Sequence, residues 1–187
     1  MFPWHDGLDT HLFHEDRAMH VQVSGWQGVV PDHRHQAVDL LRQAFPDLQG
    51  DGYALPGPVA LVLAMEGDHV IAHLALYERN VLLDDEPERI GLIGGVVVRA
   101  DVRRKGVASR LIEAAHAELR QRGIDFAVLF ALDHRHYAST GYAPMQNETC
   151  FIEDGHARRF VYRGGMVAAL GERRWTTAVL DLQGETV

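Results

Sequence analysis

The run Arg103-Arg104-Lys105-Gly106-Val107-Ala108-Ser109 puts three consecutive cations, a glycine and small side chains at one turn. Gly106 and Ala108 are small where the backbone must turn and present its amides. A helix that begins there aims unpaired N–H groups, and the positive end of its dipole, at whatever lies in front of it. Phosphate oxygens suit such a turn, so the chemistry expected is binding of an anionic, diphosphate-bearing ligand. The backbone should contribute more than any one side chain, and a bare charge run without the glycine would read as a solvated face. Groups able to move a proton are more scattered. His73, Glu78, Asp133 and His134 are candidates for a general base, and no spacing singles one out. His73 alternates with apolar neighbours, which favours a packed histidine over a base.

A turn of this kind needs a strand before it and a helix after it. Val96, Val97 and Val98 are β-branched and close a strand over Leu92–Arg99. Gly94-Gly95 inside that strand predicts a bulge or the close approach of a ligand, since paired glycines otherwise weaken strands. Val107, Ala108, Leu111, Ile112, Ala115 and Leu119 repeat at helical spacing, with Gly123 as the stop. Upstream, Met19–Ser24 reads as a short strand. Pro31 and Asp32 open a helix with Ala37, Val38, Leu41 and Phe45 on one face. Val59–Glu66 and Val70–Tyr77 form a hairpin around Gly67-Asp68, with Val81–Leu83 prolonging its second strand, and Asp84–Glu88 is a solvated tip. Downstream, Phe126–Leu132 is a continuous apolar strand. A short helix follows from Asp133 to Ser139, ended by Gly141. Phe160–Tyr162, Met166–Leu170 and Trp175–Leu182 read as further strands. The order predicts a mixed α/β sheet in one domain over residues 1–187, with residues 1–18 as a flexible arm.

The bulk numbers bound the function. The 187 residues carry a net charge of −8, which argues against a nucleic-acid partner and makes the Arg103–Lys105 cluster a local exception. A lone cysteine, Cys150, excludes an intrachain disulfide. No apolar run reaches membrane-spanning length and no signal peptide is evident, so no membrane partner and a cytoplasmic location are expected. His5, His11, His14 and His20 match no tight metal-ligand spacing, and no metal is expected. Trp4 and Trp26 read as packing residues. A Gly-Lys-Ser/Thr phosphate loop is missing, which argues against a nucleotide-binding protein.

The segment Val96-Val-Val-Arg-Ala-Asp-Val-Arg103-Arg-Lys-Gly106-Val-Ala108 resembles motif A of the GNAT superfamily of N-acetyltransferases, written Gln/Arg-x-x-Gly-x-Gly/Ala. Arg103, Gly106 and Ala108 fill its fixed positions. His136-Tyr137-Ala-Ser-Thr-Gly141-Tyr142 is similar to that family's Tyr-x-x-x-Gly-aromatic segment. The resemblance covers roughly Val59 to Pro144. It implies a mixed α/β fold, a mostly antiparallel, splayed central sheet flanked by helices. It implies acetyl-CoA as cosubstrate, with its diphosphate on the amides of Arg104, Lys105, Gly106, Val107, Ala108 and Ser109. It further implies a pantetheine arm lying along the backbone of Val96 and Val98, a thioester polarised by an N–H near Val97, and Tyr137 as general acid.

Val70-Ile-Ala-His73, the run Gly91 through Asp101 and Tyr137-Ala-Ser-Thr-Gly141 are also similar to aminoglycoside 2′-N-acetyltransferases. That group carries a glutamate before the glycine-valine of its fourth strand, and this chain has Gly94 there. The activity implied is direct transfer of an acetyl group from acetyl-CoA to a primary amine of a small molecule or peptide. The alternatives are an aminoglycoside 2′-N-acetyltransferase and a catalytically weak acyl-CoA-binding regulatory module. Oligomeric state is not readable from the sequence, although a final apolar strand such as Thr177–Leu182 could pair across a homodimer.

Overall fold

The computed structural model describes residues 18–48, 50–53 and 57–186. The amino-terminal arm with Trp4, His5, His11 and His14 lies outside the described residues. The chain runs β1 (His20–Gly25), α1 (Pro31–Ala44), β2 (Ala60–Glu66), β3 (His69–Leu83), β4 (Glu86–Val98), α2 (Val107–Gln121) and β5 (Phe126–Phe130). There follow β6 (Ala143–Pro144), β7 (Glu148–Glu153), β8 (His156–Val161), β9 (Gly165–Ala169) and β10 (Leu180–Glu185). All ten strands form one sheet, ordered β6-β9-β5-β4-β3-β10-β7-β8, with β2 and then β1 branching from the first half of β3. The β4–β5 and β10–β7 pairs are parallel, and the other pairs are antiparallel.

The two helices cover opposite faces of the sheet, and β2 shows why its sequence is apolar without alternation. Leu61, Leu63 and Met65 pack with Ala37, Leu40 and Leu41 of α1. Ala60, Val62 and Ala64 pack with Leu111, Ile112 and Leu119 of α2. A strand buried on both faces has no polar side to show. β3 and β4 are the longest strands, joined by Asp84 and Asp85 at φ 57° and 64°, the mirror-image turn that matches strand twist. Helix α2 sits close on β4 because Gly91 has no Cβ, which would otherwise run into the Leu119 side chain.

Several expectations need correction. Phe45 caps α1 and is 42% exposed instead of lying on its buried face. The fifth strand ends at Phe130, and Leu132 projects fully into solvent. Two short 3-10 turns, His134–His136 and Ala138–Thr140, replace the expected helix. Asp133 caps the first by accepting from the Arg135 N–H, and Gly141, at φ 86°, ends the second. The final strand is not free to pair across a homodimer, because β10 lies between β3 and β7. Residues 175–179 stay outside the sheet. The Trp175 indole donates to Asn147 Oδ1 at 2.7 Å, and the Asn147 amide donates to the carbonyls of Thr176 and Ala178.

Candidate functional site

Strands β4 and β5 pair only over three residues, Gly91↔Ala127, Leu92↔Val128 and Ile93↔Leu129. Beyond Ile93 they part, which frees the β5-facing edge of residues 94–98. At the parting point β4 bulges. Its register with β3 passes from Ala75↔Gly94 to His73↔Val97, so Gly95 and Val96 together oppose Leu74. Gly95 adopts φ 58°, and a Cβ there would press on Leu41 and His73, which is why only glycine suits the position.

His73 locks this bulge. It is fully buried, and its Nδ1 lies 2.7 Å from the Gly95 carbonyl oxygen. A carbonyl only accepts, so Nδ1 carries the hydrogen, and Nε2 accepts from the Tyr53 hydroxyl at 3.0 Å. Burial pushes its pKa down to about 4, only partly offset by the bond to Gly95. A neutral imidazole with both nitrogens engaged holds backbone in place and is not a base. Tyr53 is anchored in turn, edge-on to Trp26 at 4.9 Å, and the Arg34 guanidinium stacks on the far ring at 3.9 Å. Trp26 is thus a packing residue, as its sequence context suggested.

Two cavities meet at the parting strands. One, about 520 Å³, runs from Val96, Val97 and Val98 to the turn before α2 and is bordered by Arg103, Arg104, Gly106, Val107, Ala108 and Ser109. The other, about 530 Å³, lies on the far side of the bulge. Val96, His136 and Tyr137 border both, so the two form one continuous cleft. Gly106 enters α2 in the left-handed conformation, φ 77°, and no side chain caps the helix. Val107, Ala108 and Ser109 border the first cavity, and their amides have no acceptor among the described residues, since the first helical bond is made by Arg110. The three cations behave differently from one another. Arg103 folds back so that its Nε donates to the Val98 carbonyl at 2.9 Å. Arg104 borders the cavity with φ 61°, whereas Lys105 is exposed and does not border it.

Tyr137 is half-buried, its ring edge-on to Tyr142 with centroids 6.1 Å apart, and burial raises its pKa. It therefore stays protonated. Tyr142 is buried and pairs with the His116 Nε2 of α2 at 3.1 Å, which fixes the segment that presents Tyr137. Of the base candidates, Glu78 is taken up by Arg89 at 3.0 Å and Arg122 at 3.6 Å and borders neither cavity. Asp133 borders the far cavity, but Arg135 grips both its oxygens and holds it well below the usual carboxylate range. His134 borders a third chamber, described below. His136, in sequence merely the neighbour of Tyr137, is exposed, borders both cavities and lies 3.7 Å from Asp133. Only its position beside the tyrosine could have marked it.

A family profile described as an acetyltransferase (GNAT) domain matches residues 27–145. This chain belongs to the GNAT acetyltransferase family. An aminoglycoside 2′-N-acetyltransferase from Mycolicibacterium fortuitum is 32% identical over 128 residues, which span 67% of this chain and 64% of that protein. Among solved structures, the Escherichia coli GNAT family N-acetyltransferase YhbS, in complex with CoA, superposes with a TM-score of 0.63. It is 16% identical, over 90% of this chain and 93% of its own. A GNAT family acetyltransferase from Brucella melitensis, in complex with acetyl-CoA, gives 0.61 at 18% identity, covering 88% and 95%. The GNAT fold expected from the two motifs is the fold observed. No described helix is long and apolar enough to cross a membrane.

Proposed function

We propose that this chain transfers an acetyl group from acetyl-CoA to a primary amine. The observation that carries the reading is the single cleft in which uncapped helix amides, an unpaired strand edge and a protonated tyrosine meet. The residues fit the donor. The amides at Val107, Ala108 and Ser109 suit a diphosphate. The free edge at Val96–Val98 suits an amide-bearing arm that hydrogen-bonds like an added strand, although Arg103 already uses the Val98 carbonyl. Acetyl-CoA supplies an activated thioester. Its carbonyl would be polarised by a backbone N–H near Val97, displayed by the bulge that His73 pins.

The neutral amine attacks the thioester carbon, the C–N bond forms and the C–S bond breaks. Tyr137 gives its phenolic proton to the departing sulfur, and His136, directly or through water, takes the proton that the amine sheds. Holding both reactants in one cleft turns their encounter into an effectively unimolecular step. The relative from Mycolicibacterium fortuitum supports a second reading, an aminoglycoside as the acceptor. Gly94, where such enzymes are expected to carry a glutamate, weakens it. Acetyl-CoA-dependent thiol release against aminoglycosides, polyamines, amino acids, arylamines and short peptides tests both. Turnover of an amine is expected. Silence with acetyl-CoA still bound in calorimetry would leave an acyl-CoA-binding module instead.

A further inference from the structure

We infer that the acceptor is a primary amine carried on an apolar, aromatic or branched body, and that polycations are poor substrates. The inference rests on the acetyl-transfer reading above. Beyond the bulge the cleft opens between Leu41, Phe45 and Leu48 on one side and Phe130 and Leu132 on the other. Phe45 is 42% exposed and Leu132 104%, so two large apolar side chains stand in water at the mouth of a cleft. Apolar surface gathered in this way, around a concave site, marks what the ligand covers.

The apolar wall continues past Phe130 into a third chamber of about 450 Å³, where Tyr162 joins Phe130 and Leu132. Tyr162 packs edge-on to Phe130 at 4.9 Å and to Phe151 at 5.6 Å, so the wall is rigid and backed by core. The charges point the same way. Among the described residues bordering these two chambers, Asp133 is the one carboxylate, and Arg135 holds both its oxygens at 2.6–3.1 Å. Arg163 borders the third chamber and makes no hydrogen bond or ion pair within the described residues. A ligand with several ammonium groups would meet hydrocarbon and the like charge of the Arg163 guanidinium there. A single amine reaching Tyr137 and His136 with a hydrophobic body trailing over Phe130 and Leu132 meets neither obstacle.

The test is thiol release by the full chain with acetyl-CoA, comparing 2-phenylethylamine and tryptamine with spermidine and an aminoglycoside. Arylalkylamines are expected to show kcat/KM at least tenfold above either polycation. Leu132→Glu, at a fully exposed position that no packing depends on, is expected to raise KM for the arylalkylamine at least fivefold. It should lower KM for spermidine and leave acetyl-CoA affinity in calorimetry unchanged. Higher kcat/KM for the polycations would overturn the inference, as would bound acetyl-CoA without turnover of either arylalkylamine. A preference for hexanoyl-CoA over acetyl-CoA with every amine would also overturn it, by giving the apolar wall to the acyl chain. No binding of acetyl-CoA at all would instead overturn the acetyl-transfer reading beneath it.

Discussion

The acid role proposed for Tyr137 makes two demands: its phenol must stay protonated, and its ring must not wander. Burial satisfies the first by raising its pKa, and the edge-on contact with Tyr142 satisfies the second. Tyr137→Phe removes the hydroxyl and keeps that ring contact. Steady-state kinetics should show kcat lower by on the order of 10²-fold, with acetyl-CoA affinity unchanged. Wild-type turnover in the variant would make Tyr137 a packing residue. Tyr137 stands out in the sequence because a motif names it, and the structure sets it at the border of both cavities. Leu132 was misread for a physical reason: an apolar run says nothing about where pairing stops, and β5 stops at Phe130. His73 was read correctly as a satisfied histidine, but its partners Tyr53 and Gly95 are 20 and 22 residues away, and no local pattern reveals them.

At the scale of elements, β4, its turn and α2 were legible because each follows its own period and glycine marks the joins. Gly106 tests that unit. Its φ of 77° costs any L-residue roughly 1–2 kcal/mol, and nothing lies within 4 Å of where a Cβ would stand. Gly106→Ala therefore adds strain and a single methyl, whereas Gly106→Val adds a β-branched side chain at a position that borders the first cavity. Calorimetric affinity for acetyl-CoA should fall in both, at least tenfold further in Val than in Ala, with thermal unfolding as the control for folding. Equal affinity in wild type and Gly106→Val would remove this turn as the diphosphate site. The carboxy-terminal strands were less legible. β7 alternates correctly, but one of its inward residues is a polar Thr149 beside Phe151, which hides the apolar period. Residues 175–179 look like a strand, yet Asn147 accepts from the Trp175 indole and donates to the carbonyls of Thr176 and Ala178. A side chain thus does locally what a sheet ladder would have done. The insertion of β10 between β3 and β7 joins segments nearly a hundred residues apart, beyond any local pattern.

For the whole molecule, the two faces of the sheet share one dependence on pH. His73 is buried on the α1 face and His116 on the α2 face, and burial lowers the pKa of each from 6.5 to about 4. Above pH 6.5 both are neutral whether the chain is folded or not, so their contribution to stability is fully present. As pH falls below 6.5 the unfolded chain takes up protons that the folded chain refuses, and stability declines until about pH 4, where the folded histidines protonate too. For fully buried His73 that window corresponds to about 3 kcal/mol, a large share of the roughly 5–15 kcal/mol that holds a domain together. Asp101 and Asp133, held low by Arg99 and Arg135, add losses only below the ordinary carboxylate range, in a separate window. Urea midpoints should therefore be level from pH 8 to 7 and fall steadily from pH 6.5 to 4.5. His73→Gln should lower stability at pH 7 and flatten that slope, because glutamine has no proton to take up. An unaltered slope in the variant would show that His73 is solvated in the folded protein, and the bulge at Gly95 would then lack the lock described for it.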